Sequence, residues 1–189
     1  MTTPLLGSLF AGTGALDLGV IAATGARLAW YSENDPRIAR IGSHHHPDID
    51  NLGDVTLIDW TTVPKVDILV GGTPCQDVSH AGNRAGMRPG TRSNLWAAMR
   101  EAIATLRPAT VIWENVRGVT LTPAATALEP CPRCLGTPDP ATSLRALGRV
   151  LGDLADLGYD TRWLGLRASD VGAPHARYRI FVAAHPQRH

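Results

Sequence analysis

The sequence predicts an α/β fold, a mostly parallel sheet with helices on both faces. Short apolar runs of strand character alternate with helical stretches almost throughout the chain. Glycine-rich turns follow the first run (Gly12-Thr13-Gly14) and the fourth (Gly71-Gly72), and open α/β sheets place their ligands at such carboxyl ends of strands.

Taken in order, Leu5–Phe10 reads as a short buried strand, and the glycine turn leads into a helix over about Ala15–Ala23. Arg27–Ser32 is a second strand. Asp35-Pro36 then suits an N-cap with proline at the first helical position, starting a helix to about Gly42. Asn51–Val55 holds a short third strand or turn, and Val66–Val70 a fourth strand. Gly71 to Ser93 is a long loop rich in glycine and arginine, and loops of that length are often functional. Leu95–Leu106 is a helix and Ala109–Trp113 a buried strand, while Gly118–Pro140 reads as an irregular insertion rich in Pro, Thr and Ala. Ser143–Leu157 is an amphipathic helix ended by Gly158, and strands near Asp160–Leu166 and Tyr178–Ala184 complete the series.

With 189 residues, 44% of them apolar, one domain with a substantial core is expected. No apolar run reaches the roughly 18 residues of a membrane-crossing helix, so no membrane partner is expected. The start, Met1-Thr2-Thr3-Pro4, has no basic region or cleavage site, so no export is expected. Three cysteines argue against a disulfide framework and fit a reducing cytoplasm. A net charge of +1 gives only a weak overall field, so any affinity for nucleic acid must come from local clusters.

Six motifs carry candidate chemistry. Phe10-Ala11-Gly12-Thr13-Gly14 is either a nucleotide-approaching turn at a helix N-terminus or a plain tight turn. Glu33, about 20 residues further on, can accept bonds from ribose hydroxyls or serve as a helix N-terminal charge. Gly53-Asp54-Val55 pairs a carboxylate with an apolar side chain, as an adenine site or as a turn aspartate. Pro74-Cys75-Gln76 holds a thiol beside a rigid proline at a strand end, which presents it to a substrate rather than to a core. The loop after it carries Arg84, Arg88 and Arg92, which could meet phosphates. Trp113-Glu114-Asn115-Val116 sets a glutamate in an apolar frame, where partial desolvation suits proton donation; the rival role is a cap. Arg177 and Arg179, at alternate strand positions, point to one side, as recognition of a carboxylate or carbonyl needs.

In order and spacing these motifs resemble those of the DNA cytosine-5 methyltransferases. Phe10-Ala11-Gly12-Thr13-Gly14 resembles motif I, Glu33 motif II, Gly53-Asp54-Val55 motif III and Gly71-Gly72-Thr73-Pro74-Cys75-Gln76 motif IV. Asn94-Leu95-Trp96 resembles motif V, Glu114-Asn115-Val116 motif VI and Arg177-Tyr178-Arg179 motif VIII, so the likeness covers about Leu5–Ala184. It implies a Rossmann-like, S-adenosyl-L-methionine-dependent methyltransferase fold, with residues 1–189 as a single catalytic domain interrupted by an insertion at about 118–142. It also implies a cofactor site at Phe10, Gly12, Thr13, Gly14, Glu33, Asn34, Asp54, Val55 and Leu95. Phe10 would face the adenine, Glu33 the ribose, and Asp54 with Val55 the adenine edge.

The same resemblance implies the chemistry. Cytosine C5 is a poor nucleophile until a thiolate adds to C6, and Cys75 would be that thiolate. Glu114 would protonate or hydrogen-bond N3, Asn115 would brace the Pro74–Cys75 loop, Arg179 would reach the base carbonyl, and Arg177 would support Glu114 or the backbone. The substrate would be double-stranded DNA with its target base flipped out. An RNA cytosine-5 methyltransferase of the same type is one alternative. A non-catalytic or split lobe that relies on a second subunit for recognition is another.

There are departures from the family pattern. His175 stands where glutamine is more common and Ala15 where a further glycine is common. The target-recognition domain and last motifs of the family have no counterpart in these 189 residues. No resident metal is expected. His44-His45-His46 lies at a helix end before Pro47, and Cys131 with Cys134 offers half of a four-ligand zinc site.

Overall fold

The computed structural model describes residues 2–74, 95–120 and 146–188. Seven strands form one sheet: β1 (Leu5–Leu9), β2 (Arg27–Ser32), β3 (Asp50–Asn51), β4 (Ile68–Gly71), β5 (Thr110–Val116), β6 (Tyr159–Arg167) and β7 (Tyr178–Pro186). Four helices join them: α1 (Ala15–Thr24), α2 (Pro36–His45), α3 (Leu95–Leu106) and α4 (Ala146–Asp156). The strand order is β3-β2-β1-β4-β5-β7-β6. All pairs from β3 to β5 are parallel, whereas β7 runs antiparallel to both its neighbours.

Alternation along β4 assigns the two faces. Ile68 and Val70 join Leu6, Leu28 and Tyr31 in a core packed by Leu16, Val20 and Ile21 of α1. Leu69 points the other way, into a larger core with Met99, Ile103 and Leu106 of α3 and Val150 and Leu154 of α4. Helices therefore cover both faces.

The chain moves outward from β1 through β2 to β3, then returns to lay β4 on the other side of β1. The sheet thus reverses its order between β1 and β4, and a crevice opens outside their carboxyl ends. The Phe10 loop leaves β1 and the Gly72–Pro74 segment leaves β4 at that point.

Several elements differ from expectation. The third strand is only Asp50–Asn51, and Asp54 caps a 3-10 turn, Val55–Leu57, by accepting from the Thr56 backbone N–H. Helix α2 runs on through His45, so the first two histidines of the tract are helical. Strand β5 extends to Val116, because β7 pairs with it as far as Val116↔Arg179. Glu114 and Asn115 hence lie within a strand. Gly118–Thr120, at the start of the expected insertion, belong to a 3-10 turn with Val119 buried; the rest of that insertion, Cys131 and Cys134 included, lies outside the described residues. So do Ser143 and the next two residues of the expected fourth helix.

On the α1 face no described helix lies over the far half of the sheet. Glu114, Phe181 and Leu164 stand in one row across β5, β7 and β6, and Val116, Arg179 and Leu166 in the next. Leu164 is 50% exposed and Leu166 38%, and Leu18 of the neighbouring α1 is 60% exposed. No described helix is long and apolar enough to cross a membrane.

Candidate functional site

The loop after β1 is shaped by unusual backbone. Phe10, Gly12 and Gly14 all have positive φ, at 54°, 58° and 77°. Glycine accepts that region freely, while an aromatic side chain does so at a cost of order 1–3 kcal/mol, a strain that clusters at ligand sites. Glu33 holds the loop closed: one carboxylate oxygen accepts the Gly12 N–H (2.9 Å) and the other the Asp35 N–H (2.9 Å). Asn51 joins β3 to the same point, accepting from Glu33 N and donating to its carbonyl.

A cavity of about 760 Å³ lies against this loop, within the size range of small-molecule sites. Its wall takes in Phe10, Gly12, Glu33, Asn34, Asp54, Val55 and Leu95, together with Gly72 and Pro74. Seven of the nine residues expected to bind cofactor thus meet in one place, and Thr13 and Gly14 sit beside it on neighbouring cavities. The backbone N–H of Thr56, then its hydroxyl, holds the Asp54 carboxyl below the usual carboxylate range, so it stays an acceptor. These groups suit an adenosine moiety. An ionised carboxylate has about four acceptor positions, so Glu33 can take hydroxyls beyond its two backbone donors. Phe10 and Val55 offer apolar surface for a ring, and Asp54 an acceptor at its edge.

A second cavity, of about 670 Å³, shares Phe10, Gly12 and Gly72 with the first. Glu114, Arg177, Arg179 and Phe181 line it. Arg179 Nε lies 2.6 Å from Glu114 Oε1, the two side chains being 21% and 25% exposed, and Arg179 Nη1 donates to the Tyr178 carbonyl. The structure therefore pairs Glu114 with Arg179, while the resemblance left Arg177 to support either Glu114 or the backbone. The Ala168 N–H donates to the carbonyl of Arg177, whose exposed side chain faces the same cavity.

Behind these cavities a polar cluster joins β5 to the end of β4. Asn115, 2% exposed, donates through Nδ2 to the carbonyl and hydroxyl of Thr73, at 3.1 and 3.0 Å. Asn115 thus bonds to the residue just before Pro74. The Trp113 indole donates to the same hydroxyl at 2.9 Å. Cys75 and Gln76, and with them Arg84, Arg88, Arg92 and Asn94, lie outside the described residues.

Two contributors were not singled out from sequence. Thr73 sits inside a motif that draws attention to its proline and cysteine. Asp17 is the single charged residue of an otherwise apolar α1, yet it is buried on the first helical turn, and that pattern was a usable signal. It accepts from Ser8 Oγ of β1 at 2.8 Å and lines the second cavity. Burial pushes its carboxyl above the usual range, opposed by the Ser8 bond and by nearby His46. Among the described residues no three His, Cys, Asp or Glu side chains gather to hold a metal.

The profile of the C-5 cytosine-specific DNA methylases matches residues 6–189. The chain is 33% identical over 184 residues to the Type II methyltransferase M.HgiBI of Herpetosiphon aurantiacus, covering 95% of this chain and 37% of that protein. It is 32% identical over 155 residues to the Type II methyltransferase M.NgoBV of Neisseria gonorrhoeae, covering 80% and 33%. It therefore spans about a third of the length of these curated relatives. Among solved structures, the Entamoeba histolytica methyltransferase EhMeth superposes with a TM-score of 0.71 at 14% identity, over 100% of this chain and 54% of that one. The S. pombe Dnmt2 methyltransferase does so with a TM-score of 0.69 at 14% identity, over 98% and 50%. At such identities the likeness is one of fold, and that fold is the Rossmann-like one of the S-adenosylmethionine-dependent methyltransferases.

Proposed function

This chain belongs to the C-5 cytosine-specific DNA methylase family, and from that premise we propose that it is the catalytic lobe of a DNA cytosine-5 methyltransferase acting on duplex DNA. The observation that carries the reading is the pair of adjoining cavities. One gathers Glu33, Asn34, Asp54 and Val55, the other holds the Glu114–Arg179 pair, and Gly72 at the end of β4 belongs to both. S-adenosyl-L-methionine, held by Phe10, Gly12, Glu33, Asn34, Asp54, Val55 and Leu95, supplies a methyl group when bound.

The chain's own residues prepare the base. The Cys75 thiolate adds to C6 of a flipped-out cytosine, and the displaced electron pair makes C5 nucleophilic. Glu114 shares or delivers a proton at N3, which draws that pair away from C6. Arg179 keeps the Glu114 side chain at the cavity and turns its remaining donors toward the base carbonyl. Arg177 adds positive charge at the mouth of the cavity. After C5 is alkylated and gives up its proton, the thiolate leaves C6 and the ring double bond returns.

Recognition of a DNA sequence belongs to a further segment of the protein or to a second subunit. The exposed Leu164 and Leu166 beside α1 offer such a segment an apolar surface. In the full protein, labelled methyl should pass from S-adenosyl-L-methionine to cytosine in DNA, and Cys75→Ser should abolish it. Failure of the wild type to trap a covalent adduct on 5-fluorocytosine DNA would overturn the reading.

A further inference from the structure

The thiol proposed as nucleophile follows directly on Thr73-Pro74, and Thr73 is held far more firmly than a loop residue need be. It is 5% exposed, and its hydroxyl oxygen takes two donors: the Trp113 indole N–H at 2.9 Å and the Asn115 amide at 3.0 Å. Its carbonyl accepts from Asn115 at 3.1 Å. Both donors are themselves immobilised. Trp113 and Asn115 are 0% and 2% exposed on β5 and flank Glu114 on the opposite face of that strand.

The hold extends further. Trp113 meets Trp96, the second residue of α3, edge to face at 5.9 Å. The Trp96 indole donates to Asp153 Oδ2 at 2.7 Å, which also takes Arg149 Nε at 2.7 Å. One tryptophan pair therefore fastens the end of β4 and the start of α3 to the β5 strand that carries Glu114. The contact is close at Gly72 too, where an added Cβ would lie 3.0 Å from Glu114 Oε2.

We propose that Thr73 is a positioning residue for the methyl-transfer reaction: its hydroxyl, gripped by Trp113 and Asn115, sets where Pro74, the residue that precedes Cys75 in the sequence, stands relative to Glu114. A hydroxyl is required for this, since neither apolar nor acidic side chains of that size accept two buried N–H donors without leaving a donor or a charge unsatisfied. The inference rests on the methyltransferase reading for its consequence and on the hydrogen bonds alone for its geometry.

The test compares Thr73→Val, Thr73→Ser and Trp113→Phe in the full protein. Val keeps the shape but takes the hydroxyl acceptor from the Trp113 indole and from the Asn115 amide, which keeps its bond to the Thr73 carbonyl; Ser keeps the oxygen, and Phe removes one donor while keeping a ring. Thr73→Val should slow single-turnover methyl transfer about tenfold or more, the effect of losing such bonds at the transition state. The dissociation constant for S-adenosyl-L-methionine should stay within about twofold, because the carboxylates of that cavity, Glu33 and Asp54, are held by Gly12, Asp35 and Thr56 and not by Thr73. Ser should restore the rate to within a few-fold, and Phe should fall between. A purely structural residue would instead lower melting temperature in all three with the rate per folded molecule unchanged, and that result overturns the proposal. Alkylation of Cys75 by iodoacetamide, followed by peptide mapping, reads the same placement without any methyl transfer. If the wild type transfers no methyl but Thr73→Val changes the Cys75 alkylation rate and Ser restores it, the methyltransferase reading fails and the positioning inference stands. An alkylation rate equal in all variants overturns the inference itself.

Discussion

Two carboxyl side chains at the second cavity each make a prediction. Glu114 keeps a quarter of its surface open and is tied to Arg179. Glu114→Gln preserves shape and removes the exchangeable proton. A general acid contributes about 10²–10⁴-fold, so adduct formation with 5-fluorocytosine DNA should slow by at least about a hundredfold while cofactor binding persists. Asp17 makes a different, pH-dependent prediction. Its folded pKa lies above its unfolded value because burial penalises the charge. The native state therefore binds that proton more tightly, and stability drawn from it is full below the unfolded pKa and lost as pH rises through the folded one. Denaturant unfolding of Asp17→Asn against wild type should show the variant gaining relative stability as pH is raised across that window. A difference independent of pH would refute it. At this scale the sequence was most legible where motif and chemistry coincide, as at Glu33, Asp54 and Glu114. Thr73 escaped because its role depends on a partner 42 residues away, which no local pattern displays, whereas the lone charge of Asp17 in α1 was visible but its Ser8 partner was not.

Strand and helix identities followed from apolar runs and turn residues, and Arg27–Ser32 and Leu95–Leu106 have the expected limits. The misjudged ends share a cause, pairing with distant strands. β5 continues past Trp113 because β7 arrives from more than 60 residues on to bond it. β2 contains a shift in its register with β1, where Leu6 pairs Leu28 but Gly7 pairs Trp30. The extra residue turns Leu28 toward α1 and Trp30 toward the larger core, although their spacing alone would put both on one face. Gly7 makes room for that tryptophan, since a Cβ there would collide with the indole. Gly7→Ala should accordingly cost about 1–3 kcal/mol in chemical denaturation, the usual range for an overfilled core. Equal midpoints for the two proteins would contradict this packing account.

Across the whole molecule, the alternation of elements announced the α/β class but not where order reverses. The crevice between β1 and β4 exists because the chain turns back there, and topology of that kind is written in no single segment. The half-face beside α1 that no described helix covers was equally hidden, since Leu164 and Leu166 look like core residues until one sees that nothing described lies over them. If a further segment or subunit seats there, a hydrophobic dye should bind residues 1–189 alone and be displaced when that piece is supplied. Leu164→Glu with Leu166→Glu should then weaken the association by about tenfold or more, given about 1.5–3 kcal/mol for burying each such side chain. Retained association would remove this surface from consideration.

The placement of the tryptophans has an optical consequence. Trp30, Trp60, Trp96 and Trp113 are 3% exposed or less, while Trp163, on the outermost strand, is 51% exposed. Of the five indoles in the chain, it alone should emit at long wavelength and yield readily to acrylamide quenching. The protein thus carries its own fluorescent gauge of strand β6. A blue shift on adding DNA or a partner would report contact at β6, and an unchanged spectrum would place the contact elsewhere.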